Sequence, residues 1–361
     1  MSRKKKIIIA GGGLVGLTAG IALKQAGADV TVCEQAPEIR AAGASIGLWR
    51  NALDVFDTLQ IDYRRISQPI EAWFYDASGQ RFRAPGYGVE DHSFLLFPRP
   101  ALNSILADAM GADNIRLHSR VVGFEEHEAY VAVIFEDGQV EKADLLIGAD
   151  GVYSKVRNQL VPGFPAQAHA GHHVWRAMLT AGDEPAQGSI LTVGDARTRG
   201  GYSRTYGDQV TWMVNQFDSV EPTGSKKEEA LQRALNLNDA ALLKLIARTP
   251  AESIIHTQIM YVPALPKWVS ARVVLIGDAA HGLSPHISAG GTLGIEDIAV
   301  LMYALQTAPS QAAALQLYES RRMLHYEKVR ELSKAVELSR NAQEYALEYA
   351  RFSHWMLNAI K

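Results

Sequence analysis

The sequence predicts an α/β protein. A doubly wound, Rossmann-like nucleotide domain is interrupted by an inserted, mostly antiparallel β-sheet domain and followed by C-terminal helices. Three observations predict it. A glycine-rich turn stands between a short apolar run and a helical pattern at the start of the chain. Two further short apolar runs end in glycine–aspartate turns near residues 150 and 277. Between those two, from about His172 to Phe217, strand-like segments alternate with turns such as Gly200-Gly201 and Gly207-Asp208.

The elements follow in order. Lys6 to Ala10 reads as a buried strand, Leu14 to Ala26 as a helix and Ala28 to Glu34 as the next strand. Apolar and polar residues alternate around Val131 to Phe135, and Asp137-Gly138 marks a hairpin before Val140. Asp144 to Ala149 is another buried strand, Lys226 to Arg248 is helical, and Arg272 to Ile276 returns to a buried strand. From Ser310 onward there is no Gly or Pro, which predicts two or three helices. The expected arrangement is a discontinuous nucleotide domain (1–70, 95–165 and 266–308), an inserted substrate domain (71–94 and 166–265) and C-terminal helices (309–361).

Bulk properties exclude several function classes. The 361 residues are 47% hydrophobic and 21% charged, as in ordinary globular proteins. A formal charge of −3 offers no basic field for nucleic acid, and Arg3 to Lys6 reads as a solvated end. Ile7 to Leu23 carries no charge, but its five glycines argue against a membrane span. The single cysteine, Cys33, rules out an internal disulfide and a Cys-based zinc site, and fits a reducing cytoplasm. His169, His172 and His173 cluster without carboxylate support, so no metal site is expected.

Gly11-Gly-Gly-Leu-Val-Gly16 is a GxGxxG turn between strand and helix. Gly11 permits the tight turn, Gly13 lets the backbone approach a pyrophosphate, and Gly16 lets helix and strand pack closely. The helix N-terminus offers unpaired N–H groups to the anion. Glu34 ends the next strand, 18 residues beyond Gly16, where an acid bonds the free ribose hydroxyls of FAD or NAD. Asp144 to Arg157 reads DLLIGADGVYSKVR. Asp150 is placed to accept hydrogen bonds, and Arg157 to bear on a phosphate or an acid. The third turn is GDAAH, Gly277 to His281.

In this order the three motifs resemble class A flavoprotein monooxygenases, the single-component aromatic hydroxylases of the para-hydroxybenzoate hydroxylase type. Similarity continues through Arg40 to Asn51 and Arg99 to Leu102, and covers about residues 5 to 330. Among short members the chain is similar to bacterial urate and hydroxynicotinate hydroxylases, on Ala42 to Trp49 and Ala170 to Trp175.

The resemblance implies one FAD held at both ends. Arg40 and Arg99 match positions near its phosphates and ribitol, and Asp278 matches the acid on ribitol or pyrophosphate oxygens. Pro285 to Thr292, with Gly290 and Gly291, matches the loop beside the isoalloxazine ring. The implied activity is hydroxylation of a small aromatic or heteroaromatic compound through a flavin C4a-hydroperoxide, using NADH or NADPH and O2. No second GxGxxG is present, in keeping with a family that lacks a separate nicotinamide domain.

The substrate is expected between the ring-side loop and the inserted sheet. Arg199 and Arg204 are candidates to bind a carboxylate or enolate, and Tyr202 to relay a proton. Trp175, Arg176, Tyr206, Thr211 and Trp212 are further candidates there. His286 is the base candidate because its loop faces the flavin, whereas His281 reads as structural.

The family usually has Pro-x-x-Gly-Gln-Gly in this loop. Here Ser288 and Ala289 replace the glycine and glutamine, which predicts a differently bent loop. That change favours a second reading, an FAD-dependent dehydrogenase or reductase without oxygen insertion. The active-site tyrosine of the urate enzymes falls near Thr211, which argues against urate. Expected partners are the substrate and O2, with no nucleic acid and no membrane span, in a monomer or homodimer.

Overall fold

Three consecutive isoleucines cannot divide between a wet and a dry face. The strand that carries them, Lys6–Ala10, is accordingly covered on both sides, with Ile7, Ile8 and Ile9 buried. The computed structural model describes residues 4–39, 43–70, 72–83, 94–184, 189–194, 198–217 and 220–358. Among them, five strands form a parallel sheet in the order Val273–Leu275, Leu145–Gly148, Lys6–Ala10, Asp29–Cys33, Ile115–Arg116. Because neighbours run parallel, the C-terminal ends of Val273–Leu275, Leu145–Gly148 and Lys6–Ala10 stand side by side. The turns at Gly11, Ala149 and Gly277 therefore share one edge, where open α/β sheets bind ligands. Helix Leu14–Gln25 packs between helices Arg99–Met110 and Gly290–Thr307.

The inserted sheet runs Ile255–Tyr261, Gln167–Thr180, Gln209–Phe217, Arg199–Thr205, Ser189–Val193, Ala72–Asp76, Arg81–Arg83. It is antiparallel except where Ala72–Asp76 pairs parallel with Ser189–Val193. A small sheet of Ser45–Trp49, Phe94–Pro98 and Gln68–Pro69 was not legible from the sequence.

One expectation needs correction. The stretch from Lys226 to Arg248 is two helices, Lys226–Ala234 and Ala240–Arg248. Asn238 takes a left-handed conformation at φ 52°, and the Asp239 carboxylate then accepts from the Ala241 and Leu242 amides, starting a new helix. The tail forms two helices among the described residues, Gln311–Leu338 and Ala342–Asn358. The second lays Tyr345 and Tyr349 against Phe74 of the inserted sheet, at 5.0 and 5.2 Å between ring centres. Among the described residues no helix is long and apolar enough to cross a membrane.

Candidate active site

Gly11 sits at φ +104°, and a Cβ on it would lie 2.4 Å from the Ala149 carbonyl oxygen. A Cβ on Gly16 would lie 1.9 Å from the Gly11 carbonyl oxygen. Gly13 differs, because a Cβ there would meet nothing within 4 Å. Gly11 and Gly16 are glycine because the chain's own backbone is in the way. Gly13 keeps open the space in front of a helix N-terminus, which suits an anion. The Glu34 carboxylate accepts from the Gly12 amide at 2.9 Å and the Ala36 amide at 2.8 Å. Those bonds fix its orientation and leave lone pairs for ribose hydroxyls.

Gly11, Gly13, Glu34, Arg99 and Asp150 line one cavity of about 510 Å³. The structure thus brings together five of the residues read from the sequence. Gly16 supports the turn from behind, and Arg40 lies outside the described residues. Tyr153 and Lys155 of the second motif share the cavity wall with Gln35, Arg120 and Arg176, the last of which was expected at the substrate instead.

The Asp150 carboxylate caps the helix Lys155–Leu160, accepting from the Lys155 and Val156 amides and from the Ser154 hydroxyl. Burial raises its pKa. Arg157 corrects an expectation. It is fully buried and donates to the carbonyls of Val152 (2.7 Å), Ala279 (3.1 Å) and Phe164 (3.3 Å). It ties the second turn to the third instead of reaching a phosphate. Cys33 is buried, which pushes its thiol up to about 12 and leaves it inert.

The third turn begins the other half of the site. Asp278 is exposed at the start of Asp278–His281, with Oδ1 3.6 Å from where a Cβ on Gly290 would stand. Gly290 opens the helix Gly290–Thr307, and Gly291 packs close to Leu14, Ile46 and Leu48. Beneath them lies a buried charge cluster. Asp297 accepts from the Gly277 amide (2.8 Å), His281 Nε2 (2.6 Å) and Arg322 Nε (2.6 Å). Glu296 accepts from Asn51 Nδ2 (2.7 Å) and Arg322 Nη1 (3.1 Å). His281 is structural, as its position suggested. Arg322, which no motif contained, is the cation at the centre.

Pro285 starts the turn Pro285–Ile287, which holds His286, whose side chain lies outside the described part. Ser288 ends it at φ 49°, ψ 36°. Ser288 adopts a left-handed conformation that glycine would take without strain. A side chain there costs about 1 kcal/mol. Ser288→Gly should accordingly raise stability by about 1 kcal/mol, read as a higher midpoint in thermal unfolding of the flavin-loaded protein.

The inserted sheet has two faces, and register decides which residues meet the cleft. Arg199 pairs with Asn215, Arg176 with Met213, and Ser203 with Thr211. Directly opposed residues share a face, so these stand together on the side of Arg176 and the cavity. Alternation sends Trp175, Tyr202, Arg204 and Trp212 to the other side. There Trp175, Tyr202 and Trp212 pack with Ala230, Leu242 and Ile246 of the two covering helices.

The expectations for Tyr202 and Arg204 are corrected on this ground. Burial pushes the Tyr202 phenol up to about 12, and Arg204 donates to the carbonyls of Gly182 and Glu184. Arg199 is on the cleft face, but its guanidinium donates to the carbonyls of Val336, Glu337 and Ser339 at the end of helix Gln311–Leu338.

A bound dinucleotide fits these residues. The open space at Gly13 would receive it, and Arg99 Nε is buried without a hydrogen-bond partner among the described residues. The family described as FAD binding domain matches residues 4–333. The aurachin C monooxygenase/isomerase of Stigmatella aurantiaca is 30% identical over 329 residues, 88% of this chain and 85% of that protein. The FAD-dependent urate hydroxylase of Mycolicibacterium vanbaalenii is 30% identical over 336 residues, 88% of this chain and 84% of that one. The solved structure of Klebsiella pneumoniae HpxO with FAD and uric acid shares the fold, with a TM-score of 0.83 at 24% identity, over 97% of this chain and 93% of that one. With the dinucleotide turn and the ring-side turn both in place, the chain belongs to the FAD binding domain family, among the class A flavoprotein monooxygenases.

Proposed function

We propose that this monooxygenase hydroxylates a small aromatic or heteroaromatic compound other than urate, with NADH or NADPH and O2. One observation carries the reading: a buried polar set on the cleft face of the inserted sheet lies against the ring-side turn. His172 Nδ1 is 3.3 Å from the hydroxyl of Ser284, the residue before Pro285. Asn215, on the same face, is buried, and its Oδ1 has no partner among the described residues. Leaving such an acceptor unpaired costs about 1–3 kcal/mol, which a ring N–H or hydroxyl of the substrate would recover. Arg199 adds positive charge on that face, in keeping with an acidic or enolic ring. A relative named for urate and a fold neighbour holding uric acid support a heteroaromatic class. Thr211, near which the active-site tyrosine of the urate enzymes falls, argues for a different ring.

When bound, FAD supplies the activation of O2 with electrons from the nicotinamide. The chain's own residues do the positioning. The N-terminus of helix Gly290–Thr307 presents backbone N–H groups to negative charge at the ring-side turn. Burial, with His169 and Arg199 nearby, pushes His172 down to about 3, so its imidazole stays neutral and holds Ser284 without acting as a base. Removal of a substrate proton then falls to another group, and His286 remains our candidate. We assign residues 1–70, 95–165 and 266–308 to FAD, and 71–94 with 166–265 to the substrate. We place the protein in the cytoplasm as a monomer or homodimer.

Anaerobic bleaching of the flavin by NADH and NADPH, with and without a panel of small heteroaromatic acids and phenols, tests the reading. One compound should speed bleaching by roughly tenfold or more, a barrier change of about 1.4 kcal/mol. Uric acid should not. Bleaching that ignores every heteroaromatic compound, or that uric acid alone accelerates, contradicts the proposal.

A further inference from the structure

Arg176 belongs to the inserted sheet, on the strand Gln167–Thr180, yet it lines the cavity of the dinucleotide turn. Arg99, at the start of helix Arg99–Met110, lines the same space. Burial lowers the pKa of Arg176, and the like charge of Arg99 lowers it further. Among the described residues neither guanidinium takes part in a hydrogen bond or ion pair. The acids on the described wall are Glu34 and Asp150, and both are committed to backbone amides. Two like charges brought together without a counter-ion from the chain are arranged for an anion from outside it.

The rest of the wall says which anion. It contains Gly11, Gly12, Gly13 and Glu34, the partners of a dinucleotide's pyrophosphate and ribose. His172, Asn215 and the described part of the ring-side turn, which serve the substrate in our reading, do not line it. We propose that Arg176 and Arg99 form a two-guanidinium clamp on the diphosphate of FAD, so that the inserted sheet itself holds the cofactor. Guanidinium–phosphate pairs are charge-assisted and often bidentate, which gives the clamp both strength and direction.

The test uses the full chain stripped of flavin and titrated with FAD, ADP and adenosine. Arg176→Ala should weaken FAD and ADP by roughly ten- to a hundredfold while adenosine, which lacks the diphosphate, binds as to the parent. Arg176→Lys should recover part of the loss, and the parent's advantage should shrink as salt rises. Should the alanine variant fail to fold, Arg176→Gln, which keeps the stem, carries the same expectation. FAD and ADP affinities within twofold of the parent would overturn the clamp. So would equal losses for ADP and adenosine, or intact FAD binding with only a raised half-saturation for NADH.

Discussion

Gly11→Ala should yield protein that is destabilised and purifies without flavin. The added methyl would stand 2.4 Å from the Ala149 carbonyl oxygen, at a φ of +104° that an L side chain rarely adopts. Neither side can move cheaply. The Gly11 amide donates to Cys33 at 2.8 Å, and the Ala149 amide donates to Ala10 at 2.8 Å, so both backbones belong to the central strands. Strain and clash together should cost about 2–4 kcal/mol. FAD affinity should fall by roughly a hundredfold or more, since about 2.7 kcal/mol of distortion is enough. Gly13→Ala is the contrast. Its methyl meets no protein atom within 4 Å, so the unfolding midpoint should hold while FAD binding alone weakens. Flavin content and thermal midpoint, measured on both variants, check the pair. A yellow, stable Gly11→Ala protein would refute the assignment of this turn.

The second large effect is at Asp297. Burial alone would raise the pKa of this carboxyl, but the charges of His281 and Arg322 and the hydrogen bonds from His281 and the Gly277 amide outweigh it and hold it below the usual range. Asp297→Asn keeps the shape and removes the charge. Arg322 and His281 then lose their main counter-ion inside the protein, which should cost about 3–5 kcal/mol at neutral pH. The Gly277 turn and helix Gly290–Thr307 should loosen together, because one carboxylate holds both. The pH dependence has a defined sign. A carboxyl whose folded pKa is depressed contributes stability above its unfolded value, about 3.9, and loses it as pH falls through the folded value. Urea unfolding at several pH values should show the gap between parent and variant full at pH 7 and narrowing below about pH 4. A gap that is constant across this range contradicts the account.

The parallel sheet and its three turns were legible because each signal is local. A short apolar run followed by glycine needs no knowledge of its neighbours. Lys6–Ala10, Leu145–Gly148 and Val273–Leu275 fall where the apolar runs predicted. The faces of the inserted sheet were not legible. Alternation separates Tyr202 from Ser203, but only the pairing and the packing of Lys226–Ala234 and Ala240–Arg248 say which face is covered. Aromatic Trp175, Tyr202 and Trp212 resembled substrate residues and are core. The arginines mislead for a related reason. Composition gives a charge but not its partner, and Arg157, Arg204 and Arg199 all donate to backbone carbonyls. Arg322 escaped notice because its partners Glu296 and Asp297 lie on another helix.

The break after Asn238 carried a signal that could have been used. Asn-Asp ahead of Ala-Ala-Leu-Leu is a left-handed residue followed by an N-cap. At Ser288 the loop takes a left-handed turn, at φ 49°.

The most direct test of the central claim is the fate of oxygen. The flavin-loaded protein is reduced without air by NADH or NADPH, in the presence of the compound that accelerates bleaching, and is then mixed with O2 labelled with heavy oxygen. The account predicts a hydroxylated ring carrying one labelled atom, with little free hydrogen peroxide. Complete conversion of the O2 to peroxide, with an unlabelled ring, would contradict it.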